Sequence, residues 1–348
     1  MNNPQSICII RLTSLGDIVL LTPLIRALRK GFPNARIDMI ISEHCAEIVK
    51  FNPRIDNLHI INTKQGTVKV IKQWMKLKKS MPTYDLVIDV HDSLRSKFMR
   101  IGLGKEVTVY DSARSLKRNL VKNKMRIPID SIIPVPLRYF SAVKHYPQIK
   151  PDEHGLEFWL ETEKEYQNYP INRISEPKQI LIAPGAKHAT KRWPIDKFVR
   201  LIQLLKEWHQ APIVLIGGPD DTSLCDEIQQ TVGFPIENIA GTLNLHEIAS
   251  LMDSAYCIIG NDSGLMHVAA ARHIPVLTMF GSTVPEFGFT PYHTPNEVIS
   301  LDLPCKPCTH IGKEKCPLGH FSCMNDITPQ MVFEHVQTLL ERQSPIIY

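Results

Sequence analysis

Residues 260–271 place a polar turn, Asn261-Asp262-Ser263-Gly264, between a short apolar strand (Tyr256–Ile259) and a helix carrying Leu265, His267 and three alanines. Open backbone N–H groups and roughly half a positive charge gather at such a helix start, which suits an anion and above all a diphosphate. A plain N-cap by Asp262 or Ser263 is the other reading of the same turn. Asp17 follows a first apolar strand, Ile7–Leu12, in a Gly-Asp turn, where a carboxylate can take a proton from a hydroxyl or cap a helix. Lys191, with Lys187, His188 and Arg192 beside it, supplies cations of the kind that neutralise departing phosphates; a solvated basic loop is the alternative. Asp220 and Asp221 follow the strand Ile213–Gly217. There a carboxylate can accept from ribose hydroxyls or simply start a helix, and the spacing does not choose between the two residues. His267, on the first helical turn, can bond a phosphate or be satisfied by backbone.

Two further clusters carry charge or reactive sulfur. Cys305, Cys308, Cys316 and Cys323 fall within 19 residues. Four thiolates at such spacing can close around zinc or hold an iron–sulfur cluster, or remain ordinary thiols. Cys8, Cys45, Cys225 and Cys257 are scattered and read as small core residues. Residues 95–126 hold ten Lys or Arg against two acids, Glu106 and Asp111. Arg95, Arg114 and Arg118 belong to this run, which would attract a polyanion or an anionic leaflet. No aromatic interleaving or nucleic-acid motif accompanies these charges, so nucleic acid is not an expected partner.

The elements that position these residues alternate strand and helix. Strands are expected at Ile7–Leu12, Arg36–Ile41, Leu58–Ile61 and Asp85–Val90, with helices at Pro23–Lys30 and Val68–Lys79. After a proline-rich break at 147–178, strands recur at Gln179–Ala183, Ile213–Gly217, Tyr256–Ile259 and Pro275–Phe280. The helices there are Ile195–Trp208, Leu245–Asp253 and a closing Val332–Arg342. Continuous apolar strands between amphipathic helices indicate parallel sheets covered on both faces. The length of 348 residues fits two domains of about 150 residues each. Boundaries are expected at 1–165 and 166–327, with a helix and tail at 328–348. A hydrophobic content of 43%, a charged content of 22% and a net charge of +5 are those of a globular protein. Ile7–Ile10 is too short for a signal peptide and runs into Arg11, and no stretch reaches the ~18–20 apolar residues of a membrane span. A cytoplasmic location, with contact to a membrane surface possible, is the expectation.

Three segments in register carry a family resemblance: Arg11-Leu12-Thr13-Ser14-Leu15-Gly16-Asp17 through Pro23; Ala183-Pro184-Gly185-Ala186 with Lys191-Arg192-Trp193-Pro194; and Gly260–Ala271 followed by Phe280-Gly281-Ser282-Thr283. The chain resembles the lipopolysaccharide heptosyltransferases of glycosyltransferase family 9 from about residue 6 to 340. The resemblance implies an α/β GT-B fold, two Rossmann-like doubly wound domains facing across a cleft, with acceptor on the first and nucleotide sugar on the second. It implies inverting transfer of heptose from ADP-heptose to a phosphorylated inner-core sugar, with Asp17 as general base and Lys191 on the leaving diphosphate. Donor contacts would come from Thr13, Ser14, Gly16, Gly185, Lys187, Arg192, Asp220, Asp221, Asp262, Ser263, Gly264, Leu265 and His267. Acceptor contacts would come from Arg95, Arg114 and Arg118. Catalysis would need no cofactor, since Lys and helix dipoles can replace a metal, and the cysteines would at most hold a structural zinc or iron–sulfur group. A GT-B enzyme of another nucleotide sugar, including a 2-epimerase, and an inactive nucleotide-sugar-binding module are the alternatives.

Overall fold

A computed structural model describes residues 3–124, 127–128, 131–163 and 179–342. Residues 164–178 of the proline-rich break, Arg126 of the basic run and the tail 343–348 lie outside the described residues. The chain divides into two compact units, Met1–Ala113 with Val135–Pro170, and Ile171–Tyr348 with Arg114–Pro134.

Unit 1 is built on five parallel strands, β1 (Ser6–Ile10), β2 (Arg36–Ser42), β3 (Asn57–Ile61), β4 (Tyr84–Asp89) and β5 (Gly104–Val109), in the order β3-β2-β1-β4-β5. β1 lies at the centre, with Ile7 opposite Ile37 on one side and Leu86 on the other. Ile7, Cys8, Ile9 and Ile10 are all buried, the consequence of helices covering both sheet faces. The helices here are α1 (Leu15–Val19), α2 (Thr22–Gly31), α3 (Thr67–Ser80) and α4 (Leu94–Arg100). Strand order reverses between β1 and β4. Ligands of doubly wound sheets bind at such a reversal, beyond the carboxyl ends of the strands.

α5 (Arg114–Asn123) leaves this unit. Leu120 is buried against Val284 and Phe287, and Lys124 Nζ donates to the Pro307 carbonyl at 2.5 Å, so the helix packs on unit 2. The basic run read from the sequence as one surface of the first domain is therefore divided, with Arg95 on unit 1 and Arg114 and Arg118 on unit 2. The chain returns to unit 1 with α6 (Val135–Tyr139).

Unit 2 holds six parallel strands, β6 (Gln179–Ala183), β7 (Ile213–Leu215), β8 (Glu237–Asn238), β9 (Ala255–Asn261), β10 (Val276–Met279) and β11 (Asn296–Ile299), in the order β11-β10-β9-β6-β7-β8. Its helices are α7 (Ile195–Trp208), α8 (Thr222–Thr231), α9 (Leu245–Met252), α10 (Gly264–Ala271), α11 (Ser322–Asn325) and α12 (Pro329–Glu341). Order reverses between β6 and β9, where the Lys191 loop and the α10 N-terminus emerge. The strands expected from the alternation are all present, with ends moved by at most two residues. β5, β8 and β11, not foreseen, lie at sheet edges. β5 alternates exposure along Gly-Lys-Glu-Val-Thr-Val, as an edge strand with one solvated face does.

Candidate functional site

At the reversal point of unit 1, the loop after β1 turns into α1 through Thr13, Ser14 and Gly16. Ser14 is the N-cap and Asp17 the N3 residue of that helix. Asp17 Oδ2 accepts from Ser14 Oγ at 2.7 Å and from Ser14 N at 3.3 Å, so the carboxylate does the work of a capping box. Its other oxygen lies 2.7 Å from Arg11 Nη2. Arg11, buried at the end of β1, also donates from Nε to the Thr13 carbonyl at 2.7 Å and from Nη1 to the Val90 carbonyl. Burial pushes the Asp17 carboxyl up, but the Arg11 guanidinium and the Ser14 bonds outweigh it, leaving Asp17 below its ordinary value of 3.8. Asp17 is thus an ionised carboxylate, 20% exposed, held in one orientation. Of the loop residues expected to touch a donor, Ser14 bonds that carboxylate, Thr13 holds Arg11 through its carbonyl, and Gly16 is buried in the first turn of α1.

Tyr139 and Tyr110 line the same point. Arg11 sits 5.8 Å over the Tyr139 ring, the two phenol rings are 5.1 Å apart, and Tyr139 Oη donates to the Asp17 carbonyl. Burial first, and then the Asp17 charge, hold the Tyr139 phenol well above its ordinary value despite Arg11, so it stays neutral. His91, just past β4, feels Arg11, Asp89 and Asp17, and burial followed by Arg11 lowers it to about 4. Its Nδ1 is buried without a hydrogen-bond partner. It is therefore a neutral imidazole at neutral pH. Arg11, His91 and Tyr139 were given no role from sequence. The one legible sign was a charged residue, Arg11, closing an otherwise apolar strand.

In unit 2 the two loops at the reversal point are tied together by Asn261, which is fully buried. Its Nδ2 donates to the Pro184 carbonyl at 2.7 Å, and its Oδ1 accepts from Trp193 N at 3.0 Å. Lys191 Nζ lies 2.6 Å from Asp262 Oδ2, which also accepts from Thr283 Oγ1 at 2.7 Å. Ser263 is the N-cap of α10 but makes no side-chain cap bond, and its Oγ is buried without a partner. This uncapped helix start, with Gly264 and Leu265 in its first turn, stands beside a half-buried ammonium. The arrangement can take up an anion if Lys191 exchanges Asp262 for it.

The neighbouring candidates separate. Arg192 Nε donates to the Ala186 carbonyl at 2.7 Å, which folds the guanidinium onto its own loop, while Lys187 is exposed. His188 is lowered by burial and then by Lys187 and Lys191. His267 is buried, its ring 6.4 Å from Phe289. Of the two acids after β7, Asp220 is exposed. Asp221 turns inward, accepts from Gly218 N at 3.0 Å and lies where a Cβ on Gly185 would have to go. A side chain on Gly185 would displace that carboxylate, which lies 2.1 Å from the position its Cβ would take.

The cysteine cluster does not meet the expectation of a closed metal site. Among the described residues, no group of three or more His, Cys, Asp or Glu side chains is gathered to hold an ion. Cys323 belongs to the apolar core of unit 2, and burial pushes its thiol up to about 11. Burial raises the Cys316 thiol, but the backbone N–H groups of Phe321, Leu318, Gly319 and His320 together outweigh it and leave it lowered. A core thiol and a near-surface one thus stand within electrostatic reach of each other and of Cys305 and Cys308, and no chemistry is routed through them. The segment has a structural part instead: Cys308 N donates to the Ser282 carbonyl, and Lys313 N to Thr190 Oγ1, bracing the loops beside Lys191.

Two doubly wound parallel units, each with charged loop residues at the reversal point of its sheet, are the architecture of the GT-B fold class. The model of glycosyltransferase family 9 (heptosyltransferase) matches residues 72–318, and the chain belongs to that family. Lys191 and Asp262 fall within the matched stretch; Asp17 precedes it. The lipopolysaccharide heptosyltransferase 3 of Escherichia coli K12 is 28% identical over 282 residues, covering 77% of this chain and 80% of its own. Among solved structures, a family 9 glycosyltransferase from Veillonella parvula has a TM-score of 0.77 at 21% identity, covering 97% of this chain and 98% of its own. The ADP-heptose lipopolysaccharide heptosyltransferase II of E. coli has a TM-score of 0.69 at 22% identity, covering 98% of this chain and all of its own. These two likenesses concern the fold.

Proposed function

We propose that this glycosyltransferase moves heptose from ADP-heptose to a sugar of a phosphorylated lipopolysaccharide inner core, with inversion. The observation that carries the reading is the pair of preset groups: an oriented, ionised Asp17 in one unit, and Lys191 beside the open α10 N-terminus in the other. The acceptor oxygen attacks C1 of the donor sugar while Asp17 takes its proton. The C1–O bond to the diphosphate breaks, and its electron pair leaves on the nucleoside diphosphate. Lys191, released from Asp262, and the first-turn N–H groups of Ser263, Gly264 and Leu265 stabilise that growing charge. Asp17 is a weak base in its resting pair with Arg11, so it holds the proton only as the hydroxyl becomes acidic in the transition state.

No metal is needed in this scheme, and its charge stabilisation comes from Lys191 and the helix end. Among the described residues, no helix is long and apolar enough to cross a membrane. We place the enzyme at a cytoplasmic membrane surface, where a lipid-linked acceptor is presented. Calorimetry with ADP, UDP, GDP and CMP tests the donor: selective ADP binding, weakened by Lys191→Ala, supports the reading. Preference for UDP or GDP would falsify the heptosyl assignment and leave the fold class standing.

A further inference from the structure

Unit 1 carries an exposed face that neither loop site uses. On α3, Val68, Lys72, Met75, Lys76 and Lys79 recur at three- and four-residue steps and so share one side, while Val70 and Trp74 on the opposite side are buried. Val68 is 67% and Met75 55% exposed. On the adjoining α4, Leu94 and Phe98 share a side with Ile101 just beyond the helix; Leu94 is 88% and Ile101 66% exposed. The two segments touch: Lys78 Nζ donates to the Ile101 carbonyl at 2.5 Å, and Trp74 and Met99 enter the same core. Between Asp56 and Asp85 the chain contains no carboxylate at all. Lys97, 3.9 Å from Asp92, and Arg95 extend the positive charge along α4.

We propose that this face docks on the surface of an anionic lipid bilayer. Aliphatic side chains standing in water among lysines are poorly suited to a protein partner, because protein interfaces deplete lysine and anchor on buried aromatics and arginine. The same mixture is what an interfacial helix uses: apolar tips enter the headgroup region and lysine stems reach anionic phosphates. The placement fits the chemistry. Val68 and Leu94 stand at the starts of α3 and α4, just past the carboxyl ends of β3 and β4, on the sheet edge that also carries Asp17. Docking at that edge brings the membrane surface to the base that must meet a lipid-anchored hydroxyl. The inference rests on the lipid-linked acceptor proposed above.

The test is flotation of the full chain with phosphatidylcholine vesicles, with and without phosphatidylglycerol. Binding is expected only with the anionic lipid and should fall as salt is raised. Leu94→Ser with Ile101→Ser, and separately Lys72→Glu with Lys76→Glu, should each weaken binding about tenfold or more. All four side chains are exposed, so melting temperatures should match wild type. Lys206→Glu in unit 2 serves as the control and should bind normally. Wild-type-like binding by both variant pairs overturns the proposal. So does a chain that ignores vesicles yet sediments as a dimer broken by Leu94→Ser, which would assign the face to a second copy. ADP titration of the same preparations separates the two readings: vesicle binding without ADP binding refutes the donor assignment alone, and ADP binding without vesicle binding refutes the docking face alone.

Discussion

Replacing Arg11 with methionine removes the cation beside Asp17 and leaves the carboxylate where it is. The two groups are 2.7 Å apart, with side chains 7% and 20% exposed. Removing one partner of a buried pair costs about 3–5 kcal/mol, and the residual exposure of Asp17 places the loss near the lower end, about 3 kcal/mol. The pH dependence is the sharper signature. In the wild type the Asp17 carboxyl lies below 3.8, so its contribution is present at neutral pH and is lost only as pH falls through that lowered value. Without Arg11, burial is opposed by the Ser14 bonds alone, so the carboxyl moves up from its wild-type position. Relative to wild type, the variant loses stability as pH rises through that higher value. The gap between wild type and Arg11→Met should therefore be full at neutral pH and shrink as pH falls towards 4. Urea unfolding followed by tryptophan fluorescence at a series of pH values measures it. A gap under about 1 kcal/mol at neutral pH, or one that stays constant down to pH 4, would refute the view that Arg11 holds Asp17 ionised.

Four further outcomes can be checked. Asp17→Asn should cut turnover by about 10²–10⁴-fold while ADP affinity stays unchanged, and a full-rate variant would remove Asp17 from the mechanism. Lys191→Ala should weaken ADP binding about tenfold, less than an unpaired lysine would, because its ammonium must first leave Asp262. His91, lowered from 6.5 to about 4, favours the folded state only when neutral, so stability should fall by up to roughly 3 kcal/mol as pH drops from 6.5 to 4. His91→Gln should flatten that slope, and an unchanged slope would show that another group titrates. Gly185→Ala forces the new methyl against the Asp221 carboxylate and should cost about 1–3 kcal/mol in thermal or urea unfolding. A neutral result there would mean the two loops can part freely.

The central strands were legible because burial on both faces demands unbroken apolar runs such as Ile7–Ile10 and Ile180–Ile182. The edge strands β5, β8 and β11 were not, because an edge needs apolar residues on one face at most and may be only two residues long. The loop motifs were legible as a glycine, an acid or a cation between a strand and a helix, and those of Asp17, Lys191 and Asp262 stand at the reversal points of their sheets. Their internal division of labour was not. Asp220 and Asp221 are equivalent in sequence; only the fold turns one onto Gly185 and the other into solvent. Asp17 was open between base and cap, and the structure shows that the capping bonds from Ser14 are what orient it.

The sequence by itself determined the alternation of strands and helices, the two parallel sheets and the family, because these depend on local periodicity and short motifs. Contacts between residues far apart in the chain were decided by tertiary structure. Arg11 bonds to the Val90 carbonyl across 79 positions, and Asn261 to Pro184 across 77. The basic run was divided because the apolar side of α5 finds its cover at Val284 and Phe287. Among the described residues no metal-holding group is gathered, although Cys305, Cys308, Cys316 and Cys323 are close enough to feel one another's charge. Spacing along a chain fixes which groups are available; the packing of apolar faces fixes which of them meet.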